Sequence, residues 1–108
     1  MEKANKKLRL DGQEFAKRIV AEFSNGNVVE IAERVGVEIV YEKWFPTTIG
    51  EFDRKNKKIC VNLNAREKVE KIIAHELGHF FALGLNLERE AEEIFAREFA
   101  GALLMNTE

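Results

Sequence analysis

An apolar run near the middle of the chain, IAHELGHFFAL at residues 73–83, is the feature that most constrains the fold. Apolar residues recur at helical spacing over residues 69–80, and Gly84 is a typical stop, so we predict a helix here. His75 and His79 lie within it and are the only histidines of the protein. Because residues four apart lie one above the other on a helix, both imidazoles can point at the same ion.

The five residues from His75 to His79 form the motif HExxH. Two imidazole nitrogens on one helix face can bind zinc at about 2.0–2.1 Å, while Glu76 reaches a water on that ion and acts as general base. The ion lowers the pKa of that water and polarises a carbonyl, as peptide hydrolysis requires. The alternative is a chance pair of histidines on a half-buried helix. Gly78 costs about 1 kcal/mol relative to Ala within a helix, which indicates either another element passing close by or tight packing of helix on strand.

The third metal ligand has to be found elsewhere in the chain, because catalytic zinc usually takes three protein ligands and one water. No third histidine exists, and the single cysteine, Cys60, lies in a predicted strand where a small apolar residue has a structural role. The ligand should therefore be a carboxylate of the last predicted helix. The candidates there are Glu88, Glu90, Glu92, Glu93 and Glu98.

A helical wheel narrows these candidates to two. Glu92 falls near the centre of the apolar arc and Glu93 at its border, and either carboxylate would be costly to bury without a positive partner such as zinc. Glu98 lies almost opposite the Ala96 and Ala100 side, and the two acids nearest the helix start fit a solvated face. The two alanines form a stripe of small residues that would let this helix approach the histidine helix closely. Periodicity alone leaves both Glu92 and Glu93 open.

The remaining patterns predict an α+β fold, in which two amphipathic helices precede three strands and two further helices follow. The two first helices are predicted at residues 12–23, with a stop at Ser24-Asn25-Gly26, and at Val28–Arg34, with a stop at Gly36. The strands are predicted at residues 37–43, 48–53 and 58–63, the last two forming a hairpin. The predicted N-caps of the last two helices are Asn64 and Asn86, and the final helix is predicted to run to about Met105.

Length and charge limit the classes of partner. A chain of 108 residues fits one domain, which we place at residues 12–108 behind a flexible N-terminal arm at residues 1–11. A net charge of −2 and a pI near 5.8 provide no basic stripe, so we expect no nucleic-acid partner. No apolar run reaches the roughly 18 residues of a membrane span, and the N-terminus lacks the apolar stretch of a signal peptide. We therefore expect a cytoplasmic monomer with no membrane partner.

HELGH, together with a glutamate-bearing helix downstream, gives the sequence a resemblance to the gluzincin metallopeptidases. More closely, it resembles the ImmA/IrrE-type family and the single-domain minigluzincins, over about residues 28–105. The stretches that carry the resemblance are IAERVGVEIVYEK, GEFDRKNKKICVNLN, KIIAHELGHFFAL and EIFAREFAGALLM. The resemblance implies a zincin-like minimal catalytic domain with N-terminal helices, a three-stranded sheet, an HExxH helix and a glutamate helix.

The family pattern after HELGH is a glutamate, an alanine three residues on, then Phe-Ala and Leu-Leu-Met-Pro. This chain matches it from Glu93 to Met105, with Asn106 in place of the final proline. The resemblance thus implies Glu93 as the third zinc ligand beside the two histidines, and Glu76 as general base. A register starting at Glu88 is the rival assignment. In one departure, Arg97 stands where family members commonly have an Asp or Asn that braces a ligand histidine.

The predicted function is a zinc-dependent metalloendopeptidase with a peptide or protein substrate. In gluzincins an extended substrate adds to the sheet edge above the metal, although the sequence does not tell which strand forms that edge. The alternative is a non-catalytic or self-inhibited zinc-binding module for peptide recognition or regulation, with the tail Asn106-Thr107-Glu108 folded back over the metal. Tyr41 or Trp44 could stabilise an oxyanion, with sheet packing as the alternative role.

Overall fold

The computed structural model describes residues 2–23, 26–44 and 48–107, with side chains from residue 5 onward. Within these ranges, four helices and a three-stranded mixed sheet form the α+β fold that the sequence predicts. The helices are α1 (Glu2–Glu22), α2 (Val28–Arg34), α3 (Val69–Ala82) and α4 (Arg89–Thr107), and a 3-10 turn (Leu83–Leu85) follows α3. The strands are β1 (Glu38–Glu42), β2 (Gly50–Asp53) and β3 (Lys58–Asn62).

The sheet has β3 at its centre, parallel to β1 and antiparallel to β2. Ile59 of β3 pairs with Ile39 on one side and with Phe52 on the other, so three apolar side chains form a row across one face. Ile59 is fully buried, and its two neighbours pack against the same core. The Phe52 ring also meets the Phe80 ring of α3 edge-on, with centroids 5.9 Å apart. The apolar face of the sheet therefore packs on α3 and brings β2 beside it.

On the other side of α3, the helices α1 and α4 pack along each other. Gly12 permits the close approach, because a Cβ at this position would lie 2.7 Å from the carbonyl oxygen of Phe95. One turn later the Phe15 ring contacts the rings of Phe95 and Phe99, which are both fully buried. These contacts hold α4 against α1. None of the helices in the described ranges combines the length and the hydropathy that crossing a bilayer would need.

Asn62, at the end of β3, is a polar clamp that is only 1% exposed. Its Oδ1 accepts hydrogen bonds from the backbone N–H groups of Trp44 (2.9 Å) and Asn64 (3.0 Å). Its Nδ2 donates to the carbonyl oxygen of Thr48 at 2.6 Å. Because Thr48 lies two residues before β2, this amide positions the chain where it enters that strand.

The patterns predicted for the middle of the chain are confirmed. The bounds of α2 agree with the prediction, and each strand begins and ends within two residues of its predicted limits. Gly36 has a φ of +82°, the left-handed conformation that its predicted role as a helix stop requires. Of the predicted stop after α1, Ser24 and Asn25 lie outside the described residues.

The predicted start of the first helix is wrong, because α1 begins at Glu2 rather than at residue 12. The preceding segment was predicted as an arm because it has little apolar surface to bury. Its lysine, arginine, leucine and alanine residues are nevertheless strong helix formers that extend a helix already anchored by packing. The side chains at residues 5–7 and 9–11 are exposed. The division of the chain into an arm and a domain stays a prediction.

Both predicted N-caps are wrong as well. The helix α3 begins only at Val69, while the Asn64 side chain donates to the carbonyl oxygen of Trp44 at 3.0 Å. Asn86 adopts the left-handed conformation (φ 50°, ψ 49°) directly after the 3-10 turn. It therefore ends the preceding turn, in the role predicted for Gly84, instead of starting α4. Asparagine suits both roles, since it tolerates positive φ and hydrogen-bonds locally.

Candidate metal centre

The helix α3 holds the two histidines on one face, as the HExxH spacing predicts. The ring centroids of His75 and His79 lie 5.1 Å apart. The opposite face buries Ile73 and Leu77 completely in the core, which fixes the rotation of the helix about its axis. The histidine side chains remain 30% and 17% exposed, respectively. Both rings therefore face a partly open space from a rigid support.

Glu93 of α4 reaches both rings. Its Oε1 lies 2.8 Å from His75 Nε2, and its Oε2 lies 3.1 Å from His79 Nε2. One ligand atom from each of the three side chains falls within 4.8 Å of the other two. Among the described residues this is the one group of at least three His, Cys, Asp or Glu side chains arranged so closely. Two imidazole nitrogens and a carboxylate oxygen fit the ligand preferences of zinc, so this cluster could hold that ion.

The close approach of α3 and α4 depends on Gly78. A Cβ placed on this glycine would lie 2.7 Å from Cα and 2.9 Å from Cβ of Ala96. Another element thus passes close to Gly78, as predicted, and it is α4 rather than a strand. The small residue predicted to ease this contact, Ala96, lies one helical turn after Glu93. Its contact with Gly78 brings Glu93 within reach of the histidines.

Glu92 occupies a different place from Glu93, although the helical wheel left both open. It is 6% exposed, and its Oε2 accepts a hydrogen bond from Arg54 Nη2, in the turn between β2 and β3. The same oxygen lies 3.7 Å from Nδ1 of His79, on the side of the ring away from Glu93. The positive partner that a buried carboxylate needs is thus Arg54. Nothing in the local pattern around this arginine distinguished it from an ordinary polar turn residue.

The other candidate acids of α4 lie away from the rings. Glu88 and Glu90 are exposed at the beginning of the helix, and neither belongs to the three-residue cluster. Glu98 accepts a hydrogen bond from Gln13 Nε2 at 3.2 Å, which ties α4 to α1. The described residues therefore bring Glu93, and none of these three, to both histidines.

Glu76 lies beside the cluster on α3, in a partly buried position. Burial, together with the nearby charges of Glu93 and Glu51, raises the pKa of its carboxyl group to about 7. Burial also lowers the pKa of His75, which favours the neutral imidazole that a metal requires. A carboxyl group with a pKa near neutrality can both accept and release a proton at this place.

A cleft of about 790 Å³ surrounds these side chains. One wall is formed by β2, with Gly50, Glu51 and Phe52, and the other walls come from α3 and α4. A Cβ on Gly50 would lie 2.5 Å from Cγ2 of Ile72 and 3.7 Å from Cγ of Glu76, so this strand lies directly against the HExxH helix. The strand beside the site is therefore β2, which the sequence did not reveal.

The aromatic residues considered for oxyanion stabilisation lie elsewhere. Tyr41 belongs to β1, which β3 separates from β2. Trp44 follows β1, and its backbone N–H bonds to the clamp residue Asn62. Neither is among the described residues that line the cleft. Both positions agree with the alternative role in the sheet and its adjoining loop.

A sequence model of the M78 peptidase family, described as the IrrE N-terminal-like domain, matches residues 32–108, which is more than half of the chain. The chain belongs to this family. No curated protein matches the sequence. The family match confirms the predicted resemblance to ImmA/IrrE-type proteins and covers the whole sheet, α3 and α4. The IrrE N-terminal-like domain thus includes every side chain of the candidate metal centre, whereas α1 precedes the matched region.

Proposed function

We propose that this IrrE N-terminal-like domain is a zinc-dependent metallopeptidase in which His75, His79 and Glu93 bind the metal. The convergence of their donor atoms within 4.8 Å is the observation that carries the proposal. Three protein ligands with one imidazole pair and one carboxylate are typical of catalytic zinc sites, in which water takes a fourth position. A bound zinc ion would supply a Lewis acid and a water of lowered pKa.

We assign the role of general base to Glu76. The residue adjoins His75 in the chain but stands outside the three-donor cluster, as a base that acts on water rather than on the metal must. In the proposed reaction its carboxylate takes a proton from the attacking water and passes it to the leaving amine. Partial burial in the wall of the cleft would limit the competition of bulk water for that carboxylate.

The proposed substrate is an extended peptide or an unfolded segment of a protein. Within the described ranges β2 pairs only with β3, so its other edge offers backbone groups to a further strand. A peptide that pairs with this edge would run along the cleft past His75 and Glu76, because β2 forms the wall beside them. Main-chain pairing of this kind provides affinity with little dependence on sequence.

Cleavage of an unfolded protein tests the proposal directly. Casein is incubated with the zinc-loaded protein, with and without a chelator, and beside the variant Glu76→Gln. The expected result is cleavage that the chelator abolishes and that the substitution reduces by about 10²–10⁴-fold, the usual contribution of a general base. Zinc content, measured on the same samples, should remain at one ion per chain in the variant. Glu70→Gln, an exposed glutamate in the first turn of the same helix, is the matched control and should cleave normally.

Zinc binding without cleavage by the unmodified chain would instead favour the alternative of a non-catalytic peptide-binding module. One form of that alternative has the C-terminal tail folded back over the metal. This prediction is wrong for Asn106 and Thr107. Both lie in the last turn of α4, where their side chains bond to the carbonyl oxygens of Ala102 and Leu103. At a rise of 1.5 Å per residue, Thr107 is about 21 Å along the helix from Glu93. The last residue of the predicted tail, Glu108, lies outside the described residues.

A further inference from the structure

We propose that Glu92 is a positioning residue, held by Arg54, that orients the ring of His79 toward the metal. The inference rests on the proposed function, since it takes His79 as a ligand. It assigns a role to a buried acid that neither the HExxH motif nor the family pattern marks. It also makes the turn between β2 and β3 part of the support of the metal centre.

The geometry around His79 carries the proposal. The ring presents Nε2 to Glu93 at 3.1 Å and Nδ1 to Glu92 at 3.7 Å, so its two nitrogens face two different carboxylates. A metal-binding histidine almost always donates its other ring N–H to a carboxylate, a backbone carbonyl or water, which fixes the tautomer and the orientation of the ring. The 3.7 Å contact is longer than a hydrogen bond, and catalytic contacts often tighten only when a site takes up its ligand.

Burial and charge explain why Glu92 can serve in this way. Its side chain is 8% exposed, and a carboxylate so buried requires a positive partner. Arg54 provides that partner through Nη2, on the same oxygen that faces His79. The arginine is itself 57% exposed, so it keeps part of its hydration while its guanidinium fixes the carboxylate. The charge of Glu92 thus remains close to Nδ1 and favours a proton there, which leaves the Nε2 lone pair free.

One departure of this chain from the family pattern, at Arg97, also agrees with a positioning role for Glu92. Arg97, four residues after Glu93, stands at the position where a bracing Asp or Asn is common, and its side chain is exposed. A guanidinium has only donors and cannot accept a hydrogen bond from the N–H of a histidine ring. Glu92 lies on the other side of Glu93 in the sequence and supplies an acceptor to the second histidine of the motif. Of these two residues of α4, Glu92 is therefore the one that can brace a histidine ring.

Zinc affinity of the full chain, measured by competition with a chromogenic chelator, tests the proposal. Glu92→Gln keeps the size of the side chain but removes its charge, and the expected loss of affinity is about tenfold to a hundredfold, as for other groups that hold a ligand. Arg54→Met should weaken binding less, because it frees the carboxylate without removing it. Glu98→Gln, on the same helix but bonded to Gln13, is the matched control and should bind zinc as the unmodified chain does.

A nuclear magnetic resonance measurement separates positioning from a general effect on folding. In the zinc-loaded protein, the Nδ1–H proton of His79 should appear as a protected downfield signal that Glu92→Gln removes or shifts, while the His75 ring signals stay in place. Loss of zinc affinity together with this selective change supports the proposal. An affinity loss smaller than about fivefold, or equal changes in both rings, would overturn it.

The outcome for the role of Glu92 can be distinguished from the outcome for the proposed peptidase function. If the unmodified chain binds zinc but does not cleave casein, the peptidase proposal fails while the comparison of affinities still decides the role of Glu92. If the unmodified chain binds no zinc, both proposals fall. If Glu92→Gln does not fold, the Arg54→Met variant decides, since its substituted side chain is largely exposed. A weaker zinc affinity together with a selective change in the His79 signal then supports the proposal, and any other result overturns it.

Discussion

Replacement of Gly78 by alanine should both lower the free energy of unfolding and weaken zinc binding at the candidate metal centre. The added Cβ would lie 2.7 Å from Cα, 2.9 Å from Cβ and 2.9 Å from the carbonyl oxygen of Ala96. Ordinary contacts of a Cβ begin at 3.4 Å, so the two helices have to separate by several tenths of an ångström or more. Two of the three opposing atoms belong to the backbone of α4, which cannot rotate away as a flexible side chain could.

The magnitude follows from two opposing terms. Overpacking of this kind costs about 1–3 kcal/mol, and the contact with backbone places Gly78→Ala toward the upper end of that range. The gain in helix propensity from glycine to alanine offsets about 1 kcal/mol. We therefore expect the free energy of unfolding to fall by about 1–2 kcal/mol. Since Ala96 lies one turn after Glu93, the displacement of α4 should also weaken zinc binding.

Urea unfolding of the metal-free protein measures the loss of stability. Competition with a chelator measures the loss of zinc affinity. Gly101→Ala is the matched control, because Gly101 lies exposed in α4 and a Cβ there meets no atom within 4 Å. This control should gain about 0.5–1 kcal/mol from helix propensity alone. If Gly78→Ala gained stability as Gly101→Ala does, and bound zinc as before, the helices would not approach each other as described and the reasoning would be refuted.

Four further substitutions examine other parts of the fold. The pKa of Glu76 is raised from 4.5 to about 7 in the folded chain, so the metal-free protein should lose stability as the pH rises through this window. Glu76→Gln should then match the unmodified protein near pH 4 and exceed it at pH 8, by at most about 3 kcal/mol, in urea unfolding with a chelator present. Asn62→Ala should cost about 2–4 kcal/mol, because three backbone groups lose their partner, and it should expose the loop before β2 to limited proteolysis. Gly36→Ala should cost about 1 kcal/mol because the residue holds a φ of +82°, whereas Gly84→Ala, with no atom within 4 Å of the added Cβ, should be nearly neutral in thermal unfolding.

The parts of the fold that could be predicted are those that short stretches of sequence determine by local interactions. The bounds of α2 follow from seven residues whose apolar side chains share a face and from a glycine placed to end the helix. The strands follow from alternation over a few residues, and the shared face of His75 and His79 follows from their spacing of four. In each of these cases the deciding interactions lie within one or two turns, or within one hairpin.

The errors arise where one residue type serves several local roles. Asn64 fits an N-cap by its position, but its side chain bonds to Trp44, twenty residues earlier in the chain. Asn86 also fits an N-cap, but its left-handed conformation ends the turn before it. The start of α1 was missed for a related reason, because its first residues bury little surface and continue a helix that is packed only later, from Gly12 onward. The spacing of apolar residues shows where a helix is buried. It does not show how far the helix extends into solvent.

The choice between Glu92 and Glu93 depends on contacts that no local pattern contains. The two residues differ by about 100° around α4, and both fall within reach of the apolar arc on a wheel. Which one meets Nε2 of His79 is decided by the way α4 crosses α3, and the contact between Gly78 and Ala96 sets how closely the two helices approach. Glu92 can be buried as a carboxylate because Arg54, 38 positions earlier in the chain, is its positive partner.

These two long-range contacts act on the same ring from opposite sides. The helix contact brings Glu93 to Nε2 of His79, and the arginine holds Glu92 near Nδ1. If Glu92 orients His79 as proposed, the site depends on the β2–β3 turn as well as on the helix pair. Because β2 also forms the wall along which a peptide is proposed to bind, the strand that would take up the substrate ends one residue before Arg54, the arginine proposed to support a ligand. We therefore expect substitutions in the turn at residues 54–57 to affect zinc affinity more than substitutions of equally exposed residues in α1.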